Sequence, residues 1–326
     1  MEKKIVIVIS SIALLIGFNL SCWAAEFPSK SIDMVIPYGV GGAMDLGARI
    51  MGNSMSKYLG QRFIPANKPG GDTTIGARHI ISQKPDGYTV LVTAPTTINF
   101  YPKVVKAAGY TMDDLTPLFG YAEVMLFVAV KADRPWKTLN EFIEDAKKHP
   151  NQFKHGSWGM QSFGNLGMAM IDHHAGIQTQ HVPFFSPPEA LNALLGGHID
   201  IFASSGVVQG LMEAGKIRCL AISGSQRTDL APGIPTLTEL GIPLVITFHH
   251  GFFVRNGTPK KIQETLIEAG RKASKDNPEE MKKRFFDVSL TSAWADQEPY
   301  RKKLMEDSLM YDLAIDLLKL PIYDKR

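Results

Sequence analysis

The stretch that decides the reading runs from residue 32 to residue 51, "IDMVIPYGVGGAMDLGARIM". "IDMVI" is a short unbroken apolar run, as expected of a strand buried on both faces. Past "PYGVGGAMD" (37–45) the spacing changes. Ala48, Met51, Met55, Tyr58 and Leu59 fall on one face of a helix, and Gly60 stands where a C-terminal cap belongs. The chain therefore passes from strand to helix through two adjacent glycines. Gly41 and Gly42 carry no side chain and permit positive φ. A helix starting near Ala43 presents unpaired N–H groups and about half a positive charge of dipole. Together these form an anion site that needs no lysine. Asp45 reads as a helix-start acid that orders the amides, not as a ligand contact. On these residues alone a plain tight turn and an enzyme's phosphate loop remain the competing readings.

Working outward, the same grammar repeats from Ser31 to Ser223. "PDGYTVLVTAP" is a turn feeding a buried strand, and "MLFVAV" (125–130) is another strand. "KTLNEFIEDAKKHP" opens with a capping box, Thr138 and Glu141, and stops at Pro150. Strand-like "FKHGS", "TQHVPF", "HIDIFAS" and "KIRCLAIS" then alternate with helical "GNLGMAMIDHHAG", "PPEALNALLGG" and "VVQGLMEAG". Such alternation predicts parallel α/β sheets. One more strand, "VITFHHGFFV" (245–254), precedes a mainly helical, charge-rich tail from Pro259. Ligands in open α/β sheets bind beyond the carboxyl ends of the strands, so the strand-to-helix loops are the candidate site. In "HGSWGMQSFGNLG" (155–167), Gly156 and Gly159 bracket Ser157 and Trp158, and Gln161 and Ser162 stand at a helix start. In "TAPTTIN" (93–99), Thr96 and Thr97 supply hydroxyls. These loops are rich in glycine, hydroxyl and amide, and nearly free of charge.

At 326 residues, 44% hydrophobic and 21% charged, the chain is globular and long enough for two domains. Lys3 and Lys4, then "IVIVISSIALLIGFNL" and "SCWAAE", have the layout of a secretory signal peptide cleaved after Ala24. "NLSC" also loosely resembles a lipoprotein site, with Cys22 as the lipidated residue. Removing Glu2, Lys3 and Lys4 with residues 1–24 takes the formal charge from +3 to +2. No basic block stands out, so nucleic acid is not an expected partner. Cys219, in apolar "IRCLAIS", reads as a buried inert thiol. "GLMEAGKI" (210–217) mimics a phosphate loop, yet Ile217 replaces the magnesium-binding hydroxyl and the glycines follow a helix; a helix cap explains it better. The pairs His173-His174 and His249-His250 point apart on helix or strand and lack other ligands, so no metal is expected. No nucleophile elbow or cofactor loop appears, and neither cofactor nor catalytic residue is assigned.

The loops resemble those of the extracytoplasmic solute receptors of the tripartite tricarboxylate transporter family, the Bug-type receptors. "FPSKSIDMVIPYGVGGAMDLGARIM" is similar to the family's opening strand, glycine loop and first helix. "KPGGDTTIGARHIISQKPDGYTVLV", "HVPFFSPPEALNALLGGHIDI", "AGKIRCLAISGSQRTDLAPGIPTLTELGIP" and "GFFVRNGTP" fall in register with further family segments. The resemblance implies an α/β, two-lobed periplasmic-binding-protein fold of type II (Venus-flytrap), each lobe a sheet flanked by helices. One lobe would comprise residues 26–125 plus 239–326, the other 126–238. It implies a non-enzymatic, monomeric periplasmic receptor that closes on a small organic carboxylate and presents it to membrane permease subunits. A ligand-binding component of a membrane sensor is the alternative, and an enzyme using His249 or His155 as base a more distant one. Carried over residue by residue, the ligand site comprises Tyr38, Gly41, Gly42, Thr96, Thr97, Ser157, Trp158, Gly159, Gln161, Ser162, Phe163, Pro183, Phe184, Ser204 and His249. The chain departs from the family pattern at Phe163, Phe184, Phe185, Ser186, Ser204 and His249. Trp158, Phe163, Phe184 and Phe185 together suggest a bulkier, even aromatic, carboxylate, with packing of these rings inside the lobe as the plainer reading.

Overall fold

The computed structural model describes residues 27–157, 159–184, 187–205 and 209–323. The signal peptide expected over 1–24, with Cys22, lies outside the described residues, as do Trp158, Phe185 and Ser186. The strands are β1 Ile32–Ile36, β2 Phe63–Asn67, β3 Thr89–Thr93, β4 Leu115–Met125, β5 Phe127–Lys131, β6 Lys154–Ser157, β7 Gln180–Pro183, β8 Ile201–Ser204, β9 Ile217–Ile222, β10 Thr247–Arg255 and β11 Thr291–Ala295. They form two sheets, one ordered β11-β4-β10-β3-β1-β2 and the other β7-β6-β8-β5-β9. The longer helices are α1 Ala43–Leu59, α2 Thr74–Ser82, α3 Leu139–Lys148, α4 Phe163–Ala175, α5 Pro187–Leu195, α6 Lys260–Lys275, α7 Pro278–Phe286 and α8 Gln297–Leu318.

The expectation of parallel sheets needs correction. β1 runs parallel to β2 and β3, and β6 parallel to β7 and β8. However, β10 is antiparallel to β3 and β4, and β5 is antiparallel to β8 and β9. The reversed strands β5 and β10 arrive from the other sheet. The chain passes from β4 through Leu126 directly into β5, and returns between β9 and β10. A strand delivered by a crossing enters from the opposite end to strands fed by helices, so both sheets are mixed. The tail, expected to be mainly helical, also contributes β11, antiparallel to β4.

Helix α1 forms as its pattern requires. Met44, Ala48, Met51 and Met55 are buried, and Gly60 ends the helix at φ +65°. Tyr58, expected on the same face, is 37% exposed, because the pattern turns past the packed stripe by the last turn. At α3, Thr138 Oγ1 accepts from the Glu141 amide at 3.2 Å, while Glu141 Oε2 reaches one residue beyond the cap, to the Lys137 amide at 2.6 Å. A contiguous apolar core runs from Ile32 and Met34 through Leu126 to Val128, Val130 and Leu166, joining the two sheets.

Both crossings are pinned at one residue. The buried Ser223 Oγ accepts from the Leu126 amide at 2.8 Å and donates to Ile246 O at 2.5 Å. The Ser223 main chain adds bonds to Leu126 O and from Ile246 N, both 2.9 Å. Helix α8 packs on both β4 and α4, adding a second tie between the lobes. Among the described residues no helix is long and apolar enough to cross a membrane.

Candidate ligand-binding site

The first loop, between β1 and α1, is held from beneath by a buried acid. Gly41 has φ +86°, a conformation that favours glycine, and its amide donates to Asp45 Oδ2 at 2.9 Å. Asp45 is 1% exposed; its Oδ1 accepts from Arg49 Nε and Asn67 Nδ2, each at 2.9 Å. Asn67 Nδ2 also donates to Tyr38 O at 3.0 Å. Burial alone would raise the Asp45 carboxyl, but the hydrogen bonds from Gly41, Asn67 and Arg49 outweigh it and hold it below the usual carboxylate range. Asp45 thus orders the loop, as its position in the sequence suggests. The Gly41 amide, in turn, faces Asp45. Gly42 is the N-cap of α1, with φ −76°, ψ 165° and no side-chain cap. The helix start is therefore bare, and both glycines are exposed.

Tyr38 turns its phenol inward. Burial raises its pKa, opposed by hydrogen bonds with the Thr97, Thr93 and Thr96 side chains and the Ala94 backbone. Thr96 and Thr97 are both buried, in a π-helical turn over Thr96–Phe100. Thr97 Oγ1 lies 2.7 Å from Thr93 Oγ1 and 2.7 Å from Thr73 Oγ1, and Tyr110 Oη donates to Thr97 O at 2.5 Å. The Thr97 hydroxyl thereby belongs to a threonine chain beneath Tyr38. Sequence reasoning missed Thr73, which sits at φ +71° before α2. A threonine ending the "PGGDT" turn offered only a weak signal.

The second loop, between β6 and α4, is built from side chains. Ser162 caps α4, its side chain accepting from the Asn165 amide at 3.3 Å. Asn165 Nδ2 donates to Met160 O at 2.7 Å, and the Ser162 amide to Gly159 O at 3.2 Å, around Gly159 at φ +114°. Ser157 Oγ donates to Gly159 O at 3.1 Å and lies 2.6 Å from His181 Nε2. His155, beneath, has Nδ1 2.7 Å from Thr179 Oγ1 and Nε2 2.9 Å from Asn165 Oδ1. Thr179 Oγ1 donates to Asp172 Oδ2 at 2.6 Å. Burial raises Asp172 to about 6 and lowers His155, with the Asn165 bond acting in the opposite direction on His155. His181 was not singled out for the site. The parallel register, which pairs His155 with His181 and Ser157 with Pro183, places it beside the loop.

The second loop reaches the first lobe through Gln161, whose Nε2 donates to Val104 O at 3.4 Å, just past the Thr96–Phe100 turn. Phe163 is 6% exposed and meets Phe248 edge-to-face at 4.4 Å, so α4 begins against the second crossing. The next residue of that crossing is His249, half-buried and 6.4 Å from the Tyr300 ring, and lowered by burial and by Lys303 to about 4. Phe184 is half-buried; its amide bonds Ser157 O at 2.8 Å and its ring lies over Gly156. Pro183 is exposed, and Ser204 is fully buried on β8 with an unpartnered Oγ. Phe184 thus packs within the second lobe and Phe163 against Phe248 of the second crossing, and Trp158 lies outside the described residues.

At Gly215 (φ +63°) the amides of Gly215 and Lys216 bond back to Met212 O and Leu211 O, which closes a helix as a C-cap. Cys219 is buried and pushed up to about 12 by desolvation. Among the described residues no cluster of three or more His, Cys, Asp or Glu suits a metal ion.

The profile described as "Tripartite tricarboxylate transporter family receptor" matches residues 47–313. The UPF0065 protein in the gbd 5' region of Cupriavidus necator is 35% identical over 77% of this chain and 76% of its own. A crystal structure of a TctC solute binding protein from Polaromonas shares 30% identity and a TM-score of 0.78, over 89% of this chain and 99% of that one. Rpa4515 of R. palustris, solved with adipate, has a TM-score of 0.78 at 22% identity, covering 91% of this chain and 99% of its own.

Proposed function

This chain belongs to the tripartite tricarboxylate transporter family of receptors, and we propose that it captures an organic carboxylate between its lobes in the periplasm and presents it to the family's membrane permease. The lobes we assign are residues 26–125 with 239–326, and 126–238. Every strand of the first sheet falls in the former and every strand of the second in the latter, which supports the division. The observation that carries the reading is the start of α1, where Gly42 supplies no side-chain cap and Asp45 fixes the loop through the Gly41 amide. Bare amides at a helix N-terminus suit a carboxylate, and they do so without a fixed cation that would hold phosphate as firmly. Gln161 and the Ser157–Ser162 loop supply the remaining polar contacts, with Tyr38 packed on the threonine chain beneath the first loop. Adipate in the structural neighbour Rpa4515 is in keeping with this chemistry. With Phe163 and Phe184 engaged in packing, an aliphatic acid fits better than an aromatic one.

Closure follows from differential contact: the anion meets both loops only when the lobes come together, so it favours that state. A micromolar complex requires about 8 kcal/mol. The test is a thermal-shift screen of mature protein against mono-, di-, tri- and aromatic carboxylates. An aliphatic di- or tricarboxylate at about 100 times its dissociation constant adds about 2.7 kcal/mol of apparent stability. A shift only with neutral or cationic solutes would overturn the reading. Loss of growth on the identified acid when the gene is deleted separates transport from sensing.

A further inference from the structure

The second loop carries a constraint of its own. A serine hydroxyl has one proton, and Ser157 Oγ has two neighbours competing for it, Gly159 O at 3.1 Å and His181 Nε2 at 2.6 Å. On the far side of the imidazole, Nδ1 lies 3.2 Å from Met160 Sδ, a weak acceptor. We infer that His181 is a positioning residue: its Nε2–H holds the Ser157 oxygen so that the hydroxyl proton turns to the bound carboxylate, and the imidazole takes up a proton as the anion arrives. This rests on the carboxylate reading above.

If Nε2 is bare, it accepts the Ser157 proton and the hydroxyl has nothing to offer an anion. If Nε2 carries hydrogen, Ser157 accepts from it and its own proton rests on Gly159 O at 3.1 Å, from which it can turn to a stronger acceptor. The donation to Gly159 O already implies Nε2–H in the empty loop; an arriving carboxylate draws the hydroxyl proton from Gly159 O, and its negative charge favours protonation of Nδ1, which then donates to Met160 Sδ. Both ring nitrogens face acceptors in that state. In the empty loop the charge is opposed by burial and by His155, stacked on His181 at 5.0 Å and 26°, which together hold His181 down at about 4. The other ionisable groups around the ring come from β6 and the neighbouring helices. His155 faces it from β6, Asp172 of α4 acts through Thr179, and Lys147 and His173 line the same 870 Å³ cavity. β7 is the edge of its sheet, so no further strand faces His181. Bringing an anion to Ser157 raises the imidazole from about 4 toward its ordinary value, and the proton is taken from solvent between roughly pH 4 and 6.

Two measurements test this. Nitrogen-15 NMR of the histidine rings in the ligand-free protein at pH 7 should show His181 protonated at Nε2; a proton on Nδ1 alone would overturn the proposal without reference to any ligand. Calorimetric titration with adipate at pH 5.5, in buffers of different ionisation enthalpy, should show fractional proton uptake that vanishes by pH 7.5. His181→Phe should weaken adipate about tenfold, a loss of one outward donor. His181→Gln, which keeps an N–H donor but cannot titrate, should lose less affinity and abolish the proton uptake. Uptake that persists in His181→Gln, or is absent from the unsubstituted protein while adipate binds, contradicts the proposal. Absence of adipate binding at any pH would strike at the carboxylate reading instead, and the ring tautomer then decides the role of His181 alone.

Discussion

The loops at the starts of α1 and α4 have the same outline and opposite construction. At α1 the N-cap is a glycine with nothing to offer, and the order comes from a buried carboxylate three residues on, bonded to Gly41, Arg49 and Asn67. At α4 a serine caps the helix, and hydroxyl, amide and imidazole side chains from three elements tie the loop down. The difference teaches a division of labour. The first loop offers main-chain amides and a helix dipole, which respond to negative charge and to little else. The second offers side chains whose donors can be rearranged, so discrimination among acids and sensitivity to pH belong there.

The largest expected effect comes from removing the support of the first loop. Asp45→Ala leaves the Gly41 amide and the Asn67 and Arg49 side chains without their acceptor and should cost about 3 kcal/mol, with carboxylate affinity falling at least about 30-fold. Asp45→Asn should cost less of both. Urea melts and calorimetry on the same samples read the two effects, and an unchanged affinity would show that the loop does not need its acid. Next is the crossing beneath both loops. Ser223→Ala strands the Leu126 amide and Ile246 carbonyl in the core and should destabilise by about 2 kcal/mol; a change below about 0.5 kcal/mol would mean that the two crossings do not depend on this pin.

Acid should weaken the fold. His155, His249 and His250 have folded pKa values depressed chiefly by burial, to about 4 for His249 and about 3 for His250. Their contribution is present above the unfolded value and lost as pH falls. Asp172 and Asp307 act oppositely: burial raises each to about 6, so their contribution is complete below the unfolded value and lost as pH rises through 6. The depressed histidines outnumber the raised carboxyls, so the unfolded chain binds more protons over this range and stability should fall from pH 6 to 4. The more open His181 adds to the same sign. Flat or rising stability over that range would show that these histidines are not neutral in the folded chain.

The comparison of loops also shows what a sequence reveals and what it hides. "PYGVGGAMD" and "HGSWGMQS" disclose both switches from strand to helix, because period-two and period-3.6 patterns meet at glycine within a few residues. Asp45 was readable for the same reason, since its acceptor role is local. His181 was not, because it meets Ser157 across 24 residues, through a parallel register that forms only once β6 and β7 pair. Thr73 reaches Thr97 across the same separation. β4 was overlooked because "LTPLFGYAEVM" contains Pro117, which argues against a paired strand, yet it pairs with both β10 and β11. The aromatic cluster misled in another way. Ring count is visible in sequence, whereas whether Phe163 faces a ligand or Phe248 depends on the crossing strand packed against it.

A smaller change sharpens the second loop. Ser162→Ala removes the α4 cap and should cost about 1 kcal/mol, with the helix itself retained by its buried face. Equal stability would mean that Asn165 and Met160 hold the turn unaided.

The contrast is tested most directly by giving the first loop what the second has. Gly42 has an extended backbone that accepts any residue, and a Cβ there would meet only Gly39 O at 3.9 Å. Gly42→Ser should therefore add a cap to α1, stabilise the ligand-free protein by a few tenths of a kcal/mol, and weaken carboxylate binding about fivefold by engaging the amides the anion uses. Opposite signs for stability and affinity, read by melting and calorimetry on guest-free protein, are the expected result. Affinity unchanged or improved would show that the bare end of α1 does not hold the ligand.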